Sequence, residues 1–578
     1  RGLGDVYKRQ RRWIVTGTPT QALVGASALH VMGDGSEVPT HAKVMNWTAS
    51  ERKNLDKLKH LLVRFLRVQP MCGSHLFMHS ATNGPDLPSF KERDWITLMG
   101  SGMNDMGEWP AKRRLYNMLS RLMVRNRAED VEHECPLPPL ERRIVSLSMS
   151  SHECMTYNVL QSLIMLNAAL SQEKGKDYFF HTGNKKALAS VMENLAMACF
   201  HFAGFGFLRQ VQRAHNHIMQ QLNKPHGLAE QFKQQAVEAL QQISVALQDQ
   251  TWCEHVQQGD VLYKAEHPEE RLLLAWSRRG SVWLTSEELL LLRNEYHKKA
   301  AHVLDAKGLF EELLKCGIQN KHRKTGCTVS SASHRSPKTI STPKRSEPFL
   351  NELPSRMSSL PTAFEDVFVH TSTSTKLNAI LQEILEAVPD EKVLVFSTLH
   401  QVLNELANAL ELCKVPFLFY VSGMPQHLRN TYVNAFMHKS QFRCLLMSTA
   451  IGGSGLDLHC ASRIILAEPI WQWDLESQAV KRAWRIGQTR RVLVSTYVMR
   501  HTYEERLIER KKARFLDGTD AAEQVQAMTD DPGMREFLAR PHLVQAPSKK
   551  REIAWTRTLL GAPAKHSFVH ASKRARHT

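Results

Sequence analysis

The chain has 578 residues, 42% of them apolar, and a formal net charge of +18 at pH 7. That length allows about three or four domains, and the apolar content allows real cores. No apolar run approaches the roughly 18 residues of a membrane helix, so no membrane partner is expected.

The opening Arg1-Gly2-Leu3-Gly4-Asp5 is neither a methionine start nor a signal peptide. Ten cysteines are scattered with no Cys-x-x-Cys. The close pairs His133/Cys135, His152/Cys154, Cys253/His255 and His459/Cys460 build no four-ligand zinc pattern. Reduced cysteines of a cytosolic or nuclear protein, with no metal ligands, are the expectation. The charge is concentrated. Residues 321–345 carry seven Lys/Arg and no acid, and 549–578 carry eight Lys/Arg against Glu552 alone, so these two segments hold +14 of the +18. Basic segments of this kind attract polyanions, nucleic acid first; a solvated linker and tail is the alternative. Lys549-Lys550-Arg551 and Lys573-Arg574-Ala575-Arg576 also suit nuclear import.

In chain order, Trp13–Val15 reads as a short strand running into a Gly17-Thr18-Pro19 turn. Ser50 caps a helix whose Leu55, Leu58, Leu61, Leu62, Phe65 and Leu66 share a face, ending at Pro70. A second helix has Pro110 in its first turn and carries Leu115, Met118, Leu119, Leu122 and Met123. Pro136, Pro138 and Pro139 close this portion. Residues 140–320 are helical in pattern, with a stripe at Phe232, Ala236, Leu240, Ile243 and Leu247. Thr285-Ser286-Glu287-Glu288 is a capping box for a helix reaching about Ala306, with Gly308 as its stop. Residues 321–348 are Ser, Thr, Lys, Arg and Pro with almost no apolar content, which predicts disorder. Thr373-Ser374-Thr375-Lys376 opens a helix, and after about Leu516 the pattern decays into a polar tail.

Between Glu391 and Val498 lie five apolar runs: Val393–Phe396, Phe417–Val421, Cys444–Met447, Ile464–Ala467 and Val492–Val494. Runs of this length suit parallel strands buried on both faces. Leu399, Val402, Leu403, Leu406 and Leu410 form a helical stripe between the first two. Strand–helix alternation implies an open parallel sheet with ligands at the carboxyl ends of its strands. Two clusters are expected there: Ser448–Asp457, containing Gly452, Gly453 and Gly455, and Gln478–Gln488. Arg482 and Arg485, three apart on a predicted helix, share a face and present planar forks suited to phosphate. They read as arginine fingers or as surface salt bridges. The glycine run offers backbone amides to phosphate oxygens, and Trp471 and Trp473 suit nucleic-acid stacking or core packing.

The order Gly17-Thr18-Pro19-Thr20-Gln21, Val393–Ser397, Ser448–Leu458 and Gln478–Gln488 closely resembles motifs III, IV, V and VI of the Swi/Snf-related family of superfamily-two DNA translocases. The last is the most specific, as Gln478-Ala479-x-x-Arg482-Ala483-x-Arg485-Ile486-Gly487-Gln488. Trp471, Glu476, Lys376-Leu377, Leu122–Arg125 and Leu137-Pro138-Pro139 also match. The resemblance covers about 11–140 and 370–515. It implies two RecA-like lobes that close on ATP and step along duplex DNA. By that likeness Arg482 and Arg485 are catalytic. Gly453, Gly455, Asp457 and Gln488 bind nucleotide. Gly17, Thr18, Gln21 and Gln478 couple nucleotide state to closure, and Ser397, Ser448, Thr449 and Trp471 meet DNA. Asp457 stands where the family usually has Asn, Trp484 where it has His, and Gln472-Trp473 where it has Asn-Pro. No RING spacing supports ubiquitin ligase activity.

The chain has no Gly-x-x-x-x-Gly-Lys-Ser/Thr and no Asp-Glu-x-His. The expectation is therefore a C-terminal portion of a larger protein, with ATP and Mg2+ held mainly by an upstream lobe. The expected organisation is a non-matching leader 1–10, the end of a first ATPase lobe with a protrusion 11–140, a helical insertion 141–320, a basic disordered linker 321–370, a second RecA-like lobe 371–516 and a basic tail 517–578. The expected function is an ATP-dependent translocase on duplex DNA, with nucleosomes as a further partner, in chromatin remodelling or DNA repair in the nucleus. A non-catalytic nucleic-acid scaffold is the alternative. An unrelated dehydrogenase is disfavoured by the lack of a spaced glycine fingerprint.

Overall fold

A computed structural model describes residues 58–59, 119, 121, 134–170, 184–202, 206–224, 230–300, 302–303, 305–325, 364–421, 424–449, 456–516, 528, 532–539, 542–545 and 553–561. Its contacts divide the chain into two units, one of Arg1–Pro136, Gln472–Asp474 and Lys511–Asp531, the other of Leu137–Trp471, Leu475–Arg510 and Pro532–Thr578. In the first unit Leu58, Lys59, Leu119 and Arg121 are helical. The Lys511 ammonium lies 5.8 Å from the Trp473 ring centroid. The predicted strand at Trp13–Val15 lies outside the described residues, with Gly17, Thr18 and Gln21. Of the linker predicted over 321–370, residues 326–363 also lie outside them; its ends are corrected, because 321–325 close the helix Ala306–Thr325 and 368–370 open the strand Phe368–Ser372.

The second unit opens with β1 (Leu140–Leu147) and five helices, α1 (Ser151–Leu170), α2 (Lys185–Ala198), α3 (Phe207–Leu222), α4 (Glu230–Gln248) and α5 (Gln250–Gln258). There follow β2 (Leu262–Glu266), α6 (Glu270–Trp276), β3 (Trp283–Thr285), α7 (Ser286–Ala300), α8 (Ala306–Thr325) and β4 (Phe368–Ser372). The predicted lobe runs through α9 (Thr375–Ala387), β5 (Val393–Ser397), α10 (His400–Leu412), β6 (Phe417–Tyr420), α11 (Gln426–His438), β7 (Cys444–Ser448), β8 (Arg463–Leu466), α12 (Trp473–Val480) and β9 (Val492–Met499). The chain ends its described course in α13 (Tyr503–Leu516), α14 (Pro532–Ala539) and β10 (Arg557–Thr558).

Six strands make one sheet in the order β1-β9-β8-β5-β7-β6, and every pairing is parallel. This is the RecA-like α/β architecture. All five apolar runs predicted as strands lie in it. Side chains alternate between its two faces. Val393, Val395, Cys444, Leu446 and Ile465 pack with α9 and α10, while Leu394, Phe396, Leu445, Met447, Ile464 and Leu466 pack with α11 and α12. Burial on both faces is why the runs show no polar alternation.

One strand of this sheet comes from outside the segment where it was expected. β1 pairs with β9 over its whole length, from Leu140 opposite Val492 to Leu147 opposite Met499. As an edge strand it is largely exposed, so Arg142 and Arg143 obscure its pattern. A second sheet has the order β10-β4-β2-β3, all antiparallel, and draws β10 from the C-terminal segment. Residues 553–561 are docked there rather than continuing a polar tail. Trp555, Leu559 and Leu560 are buried. The Trp555 indole donates to Asn378 Oδ1 (3.1 Å), and its ring meets Tyr263 edge-on with centroids 6.4 Å apart. The Asp366 carboxylate accepts from the amides of Leu560 and Gly561, both at 2.8 Å.

The Thr285/Glu288 capping box forms in both directions, with Thr285 N donating to Glu288 Oε2 (2.8 Å) and Glu288 N to Thr285 Oγ1 (3.2 Å). The helix it opens stops at Ala300 instead of Ala306. Gly308 belongs to the first turn of α8, because the Asp305 carboxylate accepts from Lys307 N and Gly308 N and starts a new helix there.

Trp555→Ala removes a buried indole and leaves Asn378 Oδ1 with its two Ser372 donors, so unfolding free energy should fall by about 3–5 kcal/mol, read from the urea midpoint. An unchanged midpoint would show that 553–561 contributes nothing to the fold.

Candidate nucleotide and nucleic-acid site

The sheet sorts the candidate residues into two groups, one at each end. At the carboxyl ends of β5 and β7 sit Ser397 and Ser448, with Thr449 beside them, all three buried. The Ser397 hydroxyl donates to Glu468 Oε2 (2.9 Å), and Thr449 Oγ1 to the Ser397 carbonyl (3.5 Å). Thr398, next in the chain, is exposed. Its amide and its hydroxyl both donate to Glu468 Oε1. Glu468 thus binds the end of β5 to the end of β8. Burial raises its carboxyl pKa, against the opposing pull of Thr398, Lys376 and Ser397.

Beneath this group lies a buried ion pair. Lys376 Nζ, on the first turn of α9, sits 2.6 and 2.8 Å from the two Glu504 carboxylate oxygens. Glu504 also accepts from Met499 N (2.9 Å) at the carboxyl end of β9. The pair is 1% and 0% exposed. Such a pair stabilises only when its remaining bonding positions are also filled, and the Met499 amide fills one. Ser374 caps α9 by accepting from Leu377 N (3.2 Å) and donates to the Phe200 carbonyl (2.6 Å).

The arginine segment lies elsewhere. Ser462 N donates to the Lys392 carbonyl and Leu493 N to the Ser462 carbonyl, which places Ser462 at the amino ends of β5 and β9. The turn containing Arg482 and Arg485 packs on the stretch leading to Ser462. The Arg482 carbonyl accepts from Leu458 N (3.0 Å). Gln488 Nε2 donates to the carbonyls of Ala461 (2.8 Å) and Ala483 (3.2 Å), and its Oε1 accepts from Thr489 N and Arg490 N. The carboxyl-end placement predicted for 478–488 is therefore corrected: α12 carries the chain back across the sheet before the arginines are reached. They are also not on a helix. α12 ends at Val480, and the bonds tighten from Lys481→Ser477 to Arg482→Ala479 and Ala483→Val480. Gly487 closes the turn at φ 102°, a conformation that disfavours a side chain. Gln488, expected at the nucleotide, has its whole amide committed to main chain.

Arg485 Nε lies 3.6 Å from Asp457 Oδ1, with both side chains substantially exposed. His459 Nδ1 is 2.8 Å from the same oxygen. Desolvation opposes ionisation of Asp457, yet His459 and then Arg485 bring its pKa below the ordinary value. Burial, and then the neighbouring Arg485 charge, lower the Arg482 pKa. Two like charges are thus held close at a half-open surface. Gln478 is half-buried on α12, and Trp471 is half-buried after β8. Gly453 and Gly455 lie outside the described residues.

Sequence reasoning missed several anchors. Glu468 is the first polar side chain after the apolar run of β8, a position at a carboxyl end that could have flagged it. Trp484, where the family has His, donates from Nε1 to the Pro138 carbonyl (2.7 Å), tying the arginine turn to the entry of β1. Glu383 receives Arg143 (2.9 Å), Arg463 (3.1 Å), Ser495 (2.7 Å) and Tyr497 (2.5 Å), and so joins α9 to β1, β8 and β9. No local pattern marks it.

The six-stranded parallel sheet with its flanking helices defines a RecA-like α/β fold. A family described as the SNF2-related domain matches residues 4–201, and the helicase conserved C-terminal domain matches residues 375–487. DNA repair protein rad8 of Schizosaccharomyces pombe is 33% identical over 172 residues, which are 28% of this chain and 15% of that protein. The DNA excision repair protein CSB of Oryza sativa is 31% identical over 134 residues, 23% of this chain and 11% of that protein. The solved C-terminal part of the Fun30 ATPase domain aligns with 70% of this chain and 96% of its own at 18% identity and a TM-score of 0.33. The chain carries an SNF2-related domain and a helicase conserved C-terminal domain, consistent with the Swi/Snf-like superfamily-two ATPases. It matches only a small part of its curated relatives' length.

Lys376→Ala leaves Glu504 buried and unpaired, and should cost about 3–5 kcal/mol of stability. The double variant K376M/E504L should lose much less, because neither charge remains to be desolvated. Equal losses in urea unfolding would mean that packing, not charge, matters at this site.

Proposed function

We propose that this chain supplies the second lobe of an ATP-dependent motor on duplex DNA, serving DNA repair or chromatin remodelling in the nucleus. The observation that carries this reading is the arginine turn, in which Arg482 and Arg485 lie three residues apart, the Arg482 carbonyl accepts from Leu458 N, and the Arg485 guanidinium is held by the Leu456 carbonyl at 3.4 Å and by Asp457 at 3.6 Å. An exposed pair of this kind contributes little, so an arriving anion displaces it at small cost. The same anion relieves the repulsion between the two guanidinium groups. Both forks then stabilise charge growing on a transferring phosphoryl group.

The chain contains no phosphate loop, so the triphosphate is held by a first lobe that supplies one. Among the described residues no group of three or more His, Cys, Asp or Glu suits a metal ion. At the opposite end of the sheet, the exposed Thr398 and the strand-end main chain face a DNA backbone. Contacts to phosphate position a duplex without reading its sequence, as a motor on any DNA requires. The names of the relatives, which include DNA repair proteins, agree with this reading.

Combined with a first lobe bearing a phosphate loop, Arg482→Ala and Arg485→Ala should each lower DNA-stimulated ATP turnover about a thousandfold or more while duplex affinity stays nearly constant. The unaccompanied chain should show no turnover. Unchanged turnover in both variants would make the arginines structural, and turnover by the chain alone would remove the need for a first lobe. Deleting residues 562–578, which leaves the docked 553–561 segment in place, should weaken duplex binding chiefly at low salt. Equal weakening at high salt would rule out an electrostatic role.

A further inference from the structure

A second charged surface lies away from the lobe that carries the arginine turn, on α3. Between Glu193 and Glu230 the sequence has no acidic residue, yet it includes Arg209, Arg213 and Lys224. α3 is strongly two-sided. Phe207, Val211 and Ile218 are buried on one side. Arg209, Gln212, Arg213, Asn216, His217 and Gln220 are exposed. At 3.6 residues per turn these six fall on one stripe, and Lys224, just past the helix end, extends it. Arg209 to Lys224 spans about 20 Å at 1.5 Å per residue.

The stripe differs from polar helix faces on which cations are paired within the turn. Lys298 is paired with Glu295, Arg506 with Glu509 and Arg271 with Glu269. Among the described residues Arg209, Arg213 and Lys224 have no ion pair. His217 is bonded to Gln221 (3.2 Å), and His215 turns inward to Ser244 of α4 (3.1 Å).

We propose that this face of α3 is a second contact for the phosphate backbone of duplex DNA, separate from the RecA-like sheet. Spaced cations interleaved with Gln and Asn amides match a row of phosphate and sugar oxygens. The stripe has no apolar side chain to form the core of a protein interface; Met219 lies on its flank, 45% exposed. It has no aromatic platform for unstacked bases, which argues against single strands. A contact here would lengthen the grip on a duplex without reading its sequence. The inference rests on the reading that the chain binds duplex DNA, but not on the arginine turn.

The test uses the full 578-residue chain and a fluorescent duplex of about 30 base pairs, with anisotropy followed as KCl rises. Each lost phosphate contact reduces the salt slope by about 0.9. The R209Q/R213Q/K224Q variant should therefore lose about 2–3 units of slope, whereas R209K/R213K should keep the parent slope. Matching far-UV circular dichroism shows that the fold is retained, as expected for exposed positions. If the parent binds and the Gln variant keeps its slope, this proposal fails and the DNA reading stands. If the parent does not bind duplex DNA, both fail.

Discussion

A sheet in which every strand runs the same way forces each connection to carry the chain back across a face. Function in this protein is arranged around that constraint. The return through α12 takes the chain from Trp471, past the end of β8, to the arginine turn near the start of β9. Hydroxyl and carboxylate groups of Ser397, Thr398 and Glu468 are left at one end of the sheet, and guanidinium groups at the other. On the proposed function, a single lobe meets two different anions, a nucleic-acid backbone and a nucleotide, at opposite ends of its sheet.

Keeping the two ends in fixed relation requires a rigid sheet. Glu383 gathers two arginines, a serine and a tyrosine, and joins three strands to α9. The Lys376–Glu504 pair ties the first turn of α9 to the end of β9. Both carboxylates are buried, and each has several donors around it. Removing one partner therefore leaves a charge without solvent or counter-charge, a cost larger than the net gain of the intact pair. The arginine turn is built the other way. Arg485 and Asp457 are exposed enough to part cheaply.

The docking of 553–561 adds a structural claim on the C-terminal segment. A strand of two residues contributes little by its ladder bonds, so its attachment comes from Trp555, Leu559, Leu560 and the Asp366 carboxylate. In the sequence, the basic runs Lys549–Arg551 and Lys565–Arg576 flank this docked segment.

Local pattern in the sequence was enough to establish the five central strands, the helices between them, the Thr285 capping box and the identity of the arginine motif. Each of these depends on neighbours within a few residues: continuous apolar runs, a stripe at helical period, a cap three residues from its partner. Tertiary structure alone decided that β1 completes the parallel sheet, that 553–561 docks on the second sheet, that Arg482 and Arg485 leave their helix and lie by the amino ends, and that Gln488 is bound to main chain. These outcomes depend on partners far away in sequence, such as Arg143 with Glu383 or Trp555 with Asn378. An edge strand half open to water, or a short apolar segment among lysines, has too few buried positions for its own pattern to reveal it.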